Sequence, residues 1–341
     1  VDASKALVRQ AKLWSNPSFS AVLGFGSTGR LKPFDIGAGG ETQYNLDQLI
    51  QLAGKRNKSV QLAAATARMS EAGFDELLRS LRLQLRENFY NIYYQQQSEK
   101  ILKEQLDNLQ KIVDAYVTAD AKGSVAHADV VRLQALQVGI ENDFADLKQT
   151  ELESQKNLQQ LLHTTDFYTA EIKPADLTAY NLDKIRLPAL LDSVSQNRPD
   201  VRMTDMQYQA ARLNYRLQQS LAVPDLHVGA TYDKQGSYLP NFMGLTLGID
   251  LPAWNRNQGN IRAAQLQTGA EQQQLLQQES TARSEVLNAY QRIVPLEKRY
   301  QGFDLLRFQS DFDTLIAEVS GHFSKGNISL LQFIDYFNSY S

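Results

Sequence analysis

Four histidines and four methionines are the nitrogen and sulfur side chains of this sequence best suited to a transition metal, and their spacing builds no such centre. His127, His163, His227 and His322 are scattered along the chain, and neither the His-Glu-x-x-His run of a zinc protease nor a phosphate loop occurs. Met69, Met203, Met206 and Met243 form no thioether cluster of the kind that selects soft metals, and Met203 and Met206 read as core packing. The absence of cysteine removes a thiol nucleophile, a disulfide framework and a thiolate metal site. No enzyme and no cofactor is expected.

Composition narrows the partners. The 341 residues carry 35 basic and 38 acidic side chains, a net charge of -3, with the basic ones spread singly along helical faces. That pattern leaves no footprint for nucleic acid. No apolar run reaches the roughly 18 residues of a spanning helix. Membrane strands are a separate matter, because they hide in short alternating segments. The chain begins and stops inside helical sequence, so both ends are expected to be truncated, with any signal peptide or acylated cysteine outside it.

The elements come as one plan used twice. Residues 1–163 form the first repeat: a helix tail, a strand hairpin over 18–50, a long helix over 57–120 and a return helix over 124–163. Residues 164–186, with Pro174, Tyr168 and Tyr180, break the periodicity as an insert. The second repeat, 187–341, has helices over 187–222, a strand hairpin over 225–251, a long helix over 258–322 and the start of a return helix over 327–341. Strand periodicity sets Phe19, Ala21, Leu23 and Phe25 on one face, Leu226, Val228, Ala230 and Tyr232 on another, and Met243, Leu245, Leu247 and Ile249 on a third. The second strand, where Gln48 interrupts the apolar face, is the weakest of the four by pattern.

The long segment from Asn57 to Asp120 has no proline and only Gly73 as a breaker, and its Leu102, Leu106, Leu109, Val113 and Tyr116 follow heptad spacing. At ~1.5 Å per residue it predicts a rod of roughly 96 Å and an elongated molecule. Pro295 lies inside the second long helix and predicts a bend or local irregularity. Lys122-Gly123-Ser124-Val125 and Lys325-Gly326-Asn327-Ile328 predict the turns between antiparallel helices, each glycine at positive φ. Each copy supplies two strands, and four strands cannot close a barrel. Apolar strands with open edges therefore imply oligomerisation.

Several runs carry a resemblance: Trp14-Ser15-Asn16-Pro17, Leu52-Ala53-Gly54-Lys55-Arg56, Asp250-Leu251-Pro252, Asn255-Arg256-Asn257-Gln258-Gly259-Asn260-Ile261 and the Lys-Gly turns. With the duplicated plan, the chain resembles the TolC-type outer-membrane efflux proteins, most of all their heavy-metal cation-efflux (CzcC/CusC-like) branch. The likeness covers essentially the whole chain, with Ala253 and Trp254 standing where the family often has Leu and Phe. It implies a mainly α fold with β-barrel strands: a homotrimer whose β-barrel in the Gram-negative outer membrane continues as a helical tunnel into the periplasm.

The function so implied is the passive exit duct of a tripartite efflux system, fed by a periplasmic adaptor and an inner-membrane RND-type pump, with metal cations as possible cargo. A protein-secretion exit duct, and a soluble coiled-coil scaffold, are the alternatives. The resemblance places Phe19, Leu23, Phe25, Val228, Met243, Leu245, Leu247 and Ile249 in membrane strands, and Trp14 and Trp254 in the interface belt. It makes the turns Lys122, Gly123, Ser124, Val125 and Lys325, Gly326, Asn327, Ile328 the adaptor contacts. Asp129, Phe323 and Asp335 become pore or gate residues, with Gln332 standing for a family aspartate and Phe323 for a tyrosine.

Overall fold

The computed structural model describes residues 1–23, 42–173, 185–235, 239–301, 314–315, 318–319, 321–323 and 325–338. Its elements are α1 (Asp2–Ala11), β1 (Ser18–Leu23), β2 (Thr42–Ile50), α2 (Lys55–Ala121), α3 (His127–Leu162), α4 (Leu187–Asn197), α5 (Pro199–Leu221), β3 (Leu226–Gln235), β4 (Pro240–Ile249), α6 (Gln258–Gln301) and α7 (Leu330–Asn338). Strand pair followed by long helix therefore occurs twice. Phe25 lies outside the described residues.

By its contacts the chain forms two compact units, Val1–Leu77 with Pro188–Val286, and Leu78–Leu187 with Leu287–Ser341. In the first unit all four strands make one antiparallel sheet in the order β1-β2-β3-β4. β2, expected to be the weakest strand, is nine residues long and paired on both sides. Gln48 costs little there because its amide donates to the carbonyls of Ser15 and Leu49, both at 2.9 Å. Below the sheet, Val194, Val201 and Ala282 make a small buried cluster with Leu275 and Val286 against it. α5 starts with Pro199 in its first turn, where a missing N–H is harmless. Gly73 of α2 faces Met203, whose Sδ lies 3.5 Å from where a Cβ would stand, so Met203 packs as expected.

Among the described residues the second unit has two buried clusters. The larger joins Leu109 and Val113 of α2, Leu133 and Ile140 of α3, and Val319, Phe323, Leu330 and Phe333. This is the heptad stripe read from the sequence, now with its partners. The smaller joins Ile92, Leu158 and Ala170, with Tyr168 packed against it. Residues 164–173, after α3, form neither helix nor strand, and two glutamines zip them down. Gln155 donates to the Tyr168 carbonyl at 2.6 Å and accepts from the Tyr168 N–H at 3.1 Å, while Gln96 accepts from the Ala170 N–H at 3.2 Å. α6 continues through Pro295 to Gln301.

Candidate functional site

The strand register sorts the sheet into two chemically different faces. Across one run the rows Phe19–Leu46–Ala230–Leu245, Ala21–Tyr44–Tyr232–Met243, Gln48–Val228–Leu247 and Ile50–Leu226–Ile249. Tyr44 stacks between Phe19 and Tyr232, with ring centroids 6.0 and 6.4 Å apart. This face is uncovered: Leu245 is 87%, Met243 79% and Leu247 74% exposed. An exposed apolar band of this kind marks a surface made for another apolar phase or another chain. Leu23 falls on the same face as Phe19, by alternation. Among the described residues no helix is long and apolar enough to cross a membrane.

The opposite face carries the rows Ser18–Asp47–Gly229–Thr246, Ser20–Asn45–Thr231–Gly244 and Leu49–His227–Gly248. Thr231 donates to Asn45 at 2.8 Å, Gln43 donates to the same Asn45 oxygen at 3.1 Å, and His227 Nδ1 donates to Asp47 at 2.9 Å. Small and polar side chains make most of this surface, with Val22, Leu49 and Phe242 as apolar members of the same face.

Below the strands, the motif residues lock strand to helix. Lys55 is buried against Asp225, Nζ to Oδ1 at 2.7 Å, and the Leu52 N–H donates to the same carboxylate at 3.0 Å. Ala53 and Gly54 reach this geometry at φ +53° and +68°. Arg56 sits over the Trp14 ring at 4.0 Å and donates to the Lys12 carbonyl. In the second copy Asn257, at φ +59°, donates to the backbone and side chain of Gln218 and accepts from Asn260, while Arg256 donates to the Pro252 carbonyl. Trp254 is 92% exposed beside this turn.

A further lock lies in the same unit. Arg198 holds Asp200 through Nε at 3.0 Å and Nη2 at 2.5 Å, Glu285 through Nη1 at 2.8 Å, and the Ala282 carbonyl at 3.3 Å. Gln278 adds a bond to Asp200 at 2.9 Å. The bond to Asp200 keeps the guanidinium charged even more firmly than usual. In the second unit Lys148 bridges Glu99 and Glu151 at 2.8 Å each, and hydrogen bonds to Glu151 and then Glu99 hold its ammonium above the ordinary lysine range.

The two hairpin tips share one backbone. Gly123, at φ +70°, donates to Asp120 O, and Ser124 donates to Ala119 O. Gly326, at φ +74°, donates to Phe323 O, and Asn327 to His322 O. Both are Schellman turns, which need a residue tolerant of positive φ where each glycine stands. Lys122, Ser124, Lys325 and Asn327 are exposed, and Val125 and Ile328 half-buried. Behind the second tip, Ser329 caps α7: the Gln332 N–H donates to Ser329 Oγ, and Gln332 Oε1 accepts from the Ser329 N–H at 2.9 Å. Gln332 thus completes a capping box.

A family model described as outer membrane efflux protein matches residues 1–163 and 190–300. The chain belongs to that family. It is 24% identical over 232 residues to the cobalt-zinc-cadmium resistance protein CzcC of Cupriavidus metallidurans, covering 67% of this chain and 54% of that relative. The chain therefore spans about half of that relative's length. Its fold matches that of the outer-membrane channel OprN, with a TM-score of 0.76 at 18% identity over 98% of this chain and 78% of that one. It also matches CusC, with a TM-score of 0.71 at 18% identity over 99% and 80%. The Neisseria gonorrhoeae MtrE channel, solved in its open state, gives 0.68 at 17% over 98% and 76%.

In this efflux-family chain the sequence-derived site residues separate into groups. The strand residues Phe19, Leu23, Val228, Met243, Leu245, Leu247 and Ile249 share one face. Asp129 lies half-buried in the first turn of α3, and Asp335 on the exposed side of α7. Phe323, expected among the pore or gate residues, is 2% exposed, stacked on Tyr116 at 5.0 Å and on Phe333 at 4.4 Å. A phenyl ring has no polar group to keep wet, so it joins the tip core. Sequence reasoning missed the Lys55–Asp225 and Arg198–Asp200–Glu285 locks. The runs Gly-Lys-Arg and Asn-Arg-Pro-Asp were visible, yet their partners Asp225 and Glu285 lie far along the chain.

Proposed function

We propose that this outer-membrane efflux protein is the passive exit duct of a tripartite efflux system, trimeric, joined to a periplasmic adaptor and an RND-type inner-membrane pump, with metal cations as cargo. The observation that carries the reading is the apolar sheet face, exposed on a family member whose sheet leaves β1 and β4 as open edges. Unpaired strand edges are not tolerated in lipid, so the sheet must close through other copies. Three copies of four strands make twelve, enough for a barrel with a water-filled lumen. The apolar face then meets lipid and the Asn45–Thr231 face meets water. Trp14 and Trp254 fall at helix-to-strand junctions, where interface residues belong. The metal leaning rests on the likeness to CzcC.

At the tips, the turns around Gly123 and Gly326 are assigned to adaptor contact, and Asp129 and Asp335 to the mouth. Three Asp335 carboxylates brought together repel and favour cations between them. The test is reconstitution in planar bilayers with mass measurement of the detergent-solubilised assembly. A trimer with ion conductance is expected; a non-conducting monomer would refute the duct.

A further inference from the structure

We infer that His227, oriented by Asp47, is a weak transit ligand for divalent transition-metal cations on the polar face of the sheet. The inference rests on the proposed reading of that face as the lumen. Asp47 and His227 are diagonal neighbours across β2 and β3, since Asp47 pairs with Gly229 and His227 with Leu49. The Nδ1–H of His227 donates to Asp47 Oδ1 at 2.9 Å. That bond fixes the neutral ring as the tautomer whose lone pair is on Nε2, the arrangement by which a carboxylate prepares an imidazole to bind a metal. Among the described residues Nε2 makes no hydrogen bond.

The surroundings leave that nitrogen accessible. On β4 the residue paired directly with His227 is Gly248, which sets no side chain beside it. The ring and the Asp47 carboxylate are each a little over one-third exposed. Asp47, Asp250 and Asp225 make the neighbourhood of His227 acidic, Asp225 while also holding Lys55 and the Leu52 N–H. An imidazole in an acidic neighbourhood suits zinc, cobalt, nickel or copper ions, whereas calcium and magnesium prefer all-oxygen sites.

One chain supplies too few donors for a tight site, and no group of three or more histidines or carboxylates able to hold a metal occurs among the described residues. Weakness is what a duct requires, because an ion must bind well enough to enter and loosely enough to leave. The site therefore differs from a resident metal centre: it would be filled and emptied as cargo passes.

The experiment uses the assembled channel in planar bilayers with potassium chloride, each variant normalised to its own metal-free current. Zinc ions are expected to block the wild-type current, and calcium or magnesium at the same concentration to block it far less. His227→Gln should raise the half-blocking zinc concentration at least about ten-fold, and Asp47→Asn should raise it about ten- to a hundred-fold. Equal zinc block in wild type and both variants overturns the inference while leaving the duct intact. Absence of any current overturns the duct, and the luminal site with it. A second readout avoids dependence on those variants. Copper(II) bound to the channel carrying His127→Gln, His163→Gln and His322→Gln should show nitrogen hyperfine coupling in its electron paramagnetic resonance spectrum. A spectrum without nitrogen coupling contradicts ligation by His227.

Discussion

The two hairpin tips have the same turn and opposite flanks. Three residues before its glycine the first tip has Asp120 and the second Phe323; four residues after, the first has His127 and the second Leu330. In the first tip this pair is an exposed contact, His127 Nδ1 to Asp120 Oδ2 at 2.7 Å. In the second it is apolar, and both members are buried in the tip core. Glycine at positive φ fixes the backbone in both, while the flanking pair decides whether the turn is tied by a solvent-screened polar contact or by packing. The second tip should therefore resist local opening more than the first.

Substitution at the flanking pair gives the largest expected difference. Phe323→Ala opens a cavity beside Tyr116 and Phe333 and should cost about 3–5 kcal/mol of local stability. Asp120→Ala removes an exposed pair and should cost less than about 1 kcal/mol. Hydrogen exchange of the amides around each turn reads both; similar losses at the two tips would erase the distinction. Next in size, Gly123→Ala and Gly326→Ala should each cost about 1–2 kcal/mol, and by similar amounts, because both positions are left-handed and have nothing within 4 Å of an added Cβ. A large inequality would mean that the turns differ in more than their flanks.

Capping gives a smaller contrast. Ser329→Ala should destabilise α7 by about 1 kcal/mol. Ala126 has the extended conformation of an N-cap but no side-chain bond, so Ala126→Ser should stabilise α3 by up to about 1 kcal/mol in the same exchange measurement. The smallest effect is a pH dependence. Burial, and then repulsion from Asp129, push the Tyr116 phenol above its ordinary value. The folded tip therefore holds that proton more tightly than the unfolded chain, so its contribution is complete below about pH 10 and disappears as pH rises through the folded-state value. Tyr116→Phe should flatten the alkaline end of the tip's exchange profile; an unchanged profile would remove the phenol as its cause.

Legibility followed the range of the interaction. The long helices, the Lys-Gly turns and the alternation of β3 and β4 are local patterns, and Met243, Leu245, Leu247 and Ile249 fall on one face as their period requires. β2 is a fuller strand than its pattern predicts, because Gln48 finds the Ser15 carbonyl, a partner that alternation does not show. Phe323 stands where the family resemblance has a tyrosine, and its burial follows from the stacking partners Tyr116 and Phe333, which a local pattern does not show. In the segment without periodicity, Tyr168 and Ala170 bond through their backbone to the side chains of Gln155 and Gln96, long-range partners that no local pattern shows.

The central claim is that the two sheet faces meet different phases. Nitroxide labels at Leu245 and at Thr246 in the channel reconstituted into liposomes test it directly, since adjacent strand residues point to opposite faces. The expected result is high accessibility to oxygen and low accessibility to a water-soluble nickel chelate at 245, with the reverse at 246. Equal exposure to the water-soluble reagent at both positions would contradict the account.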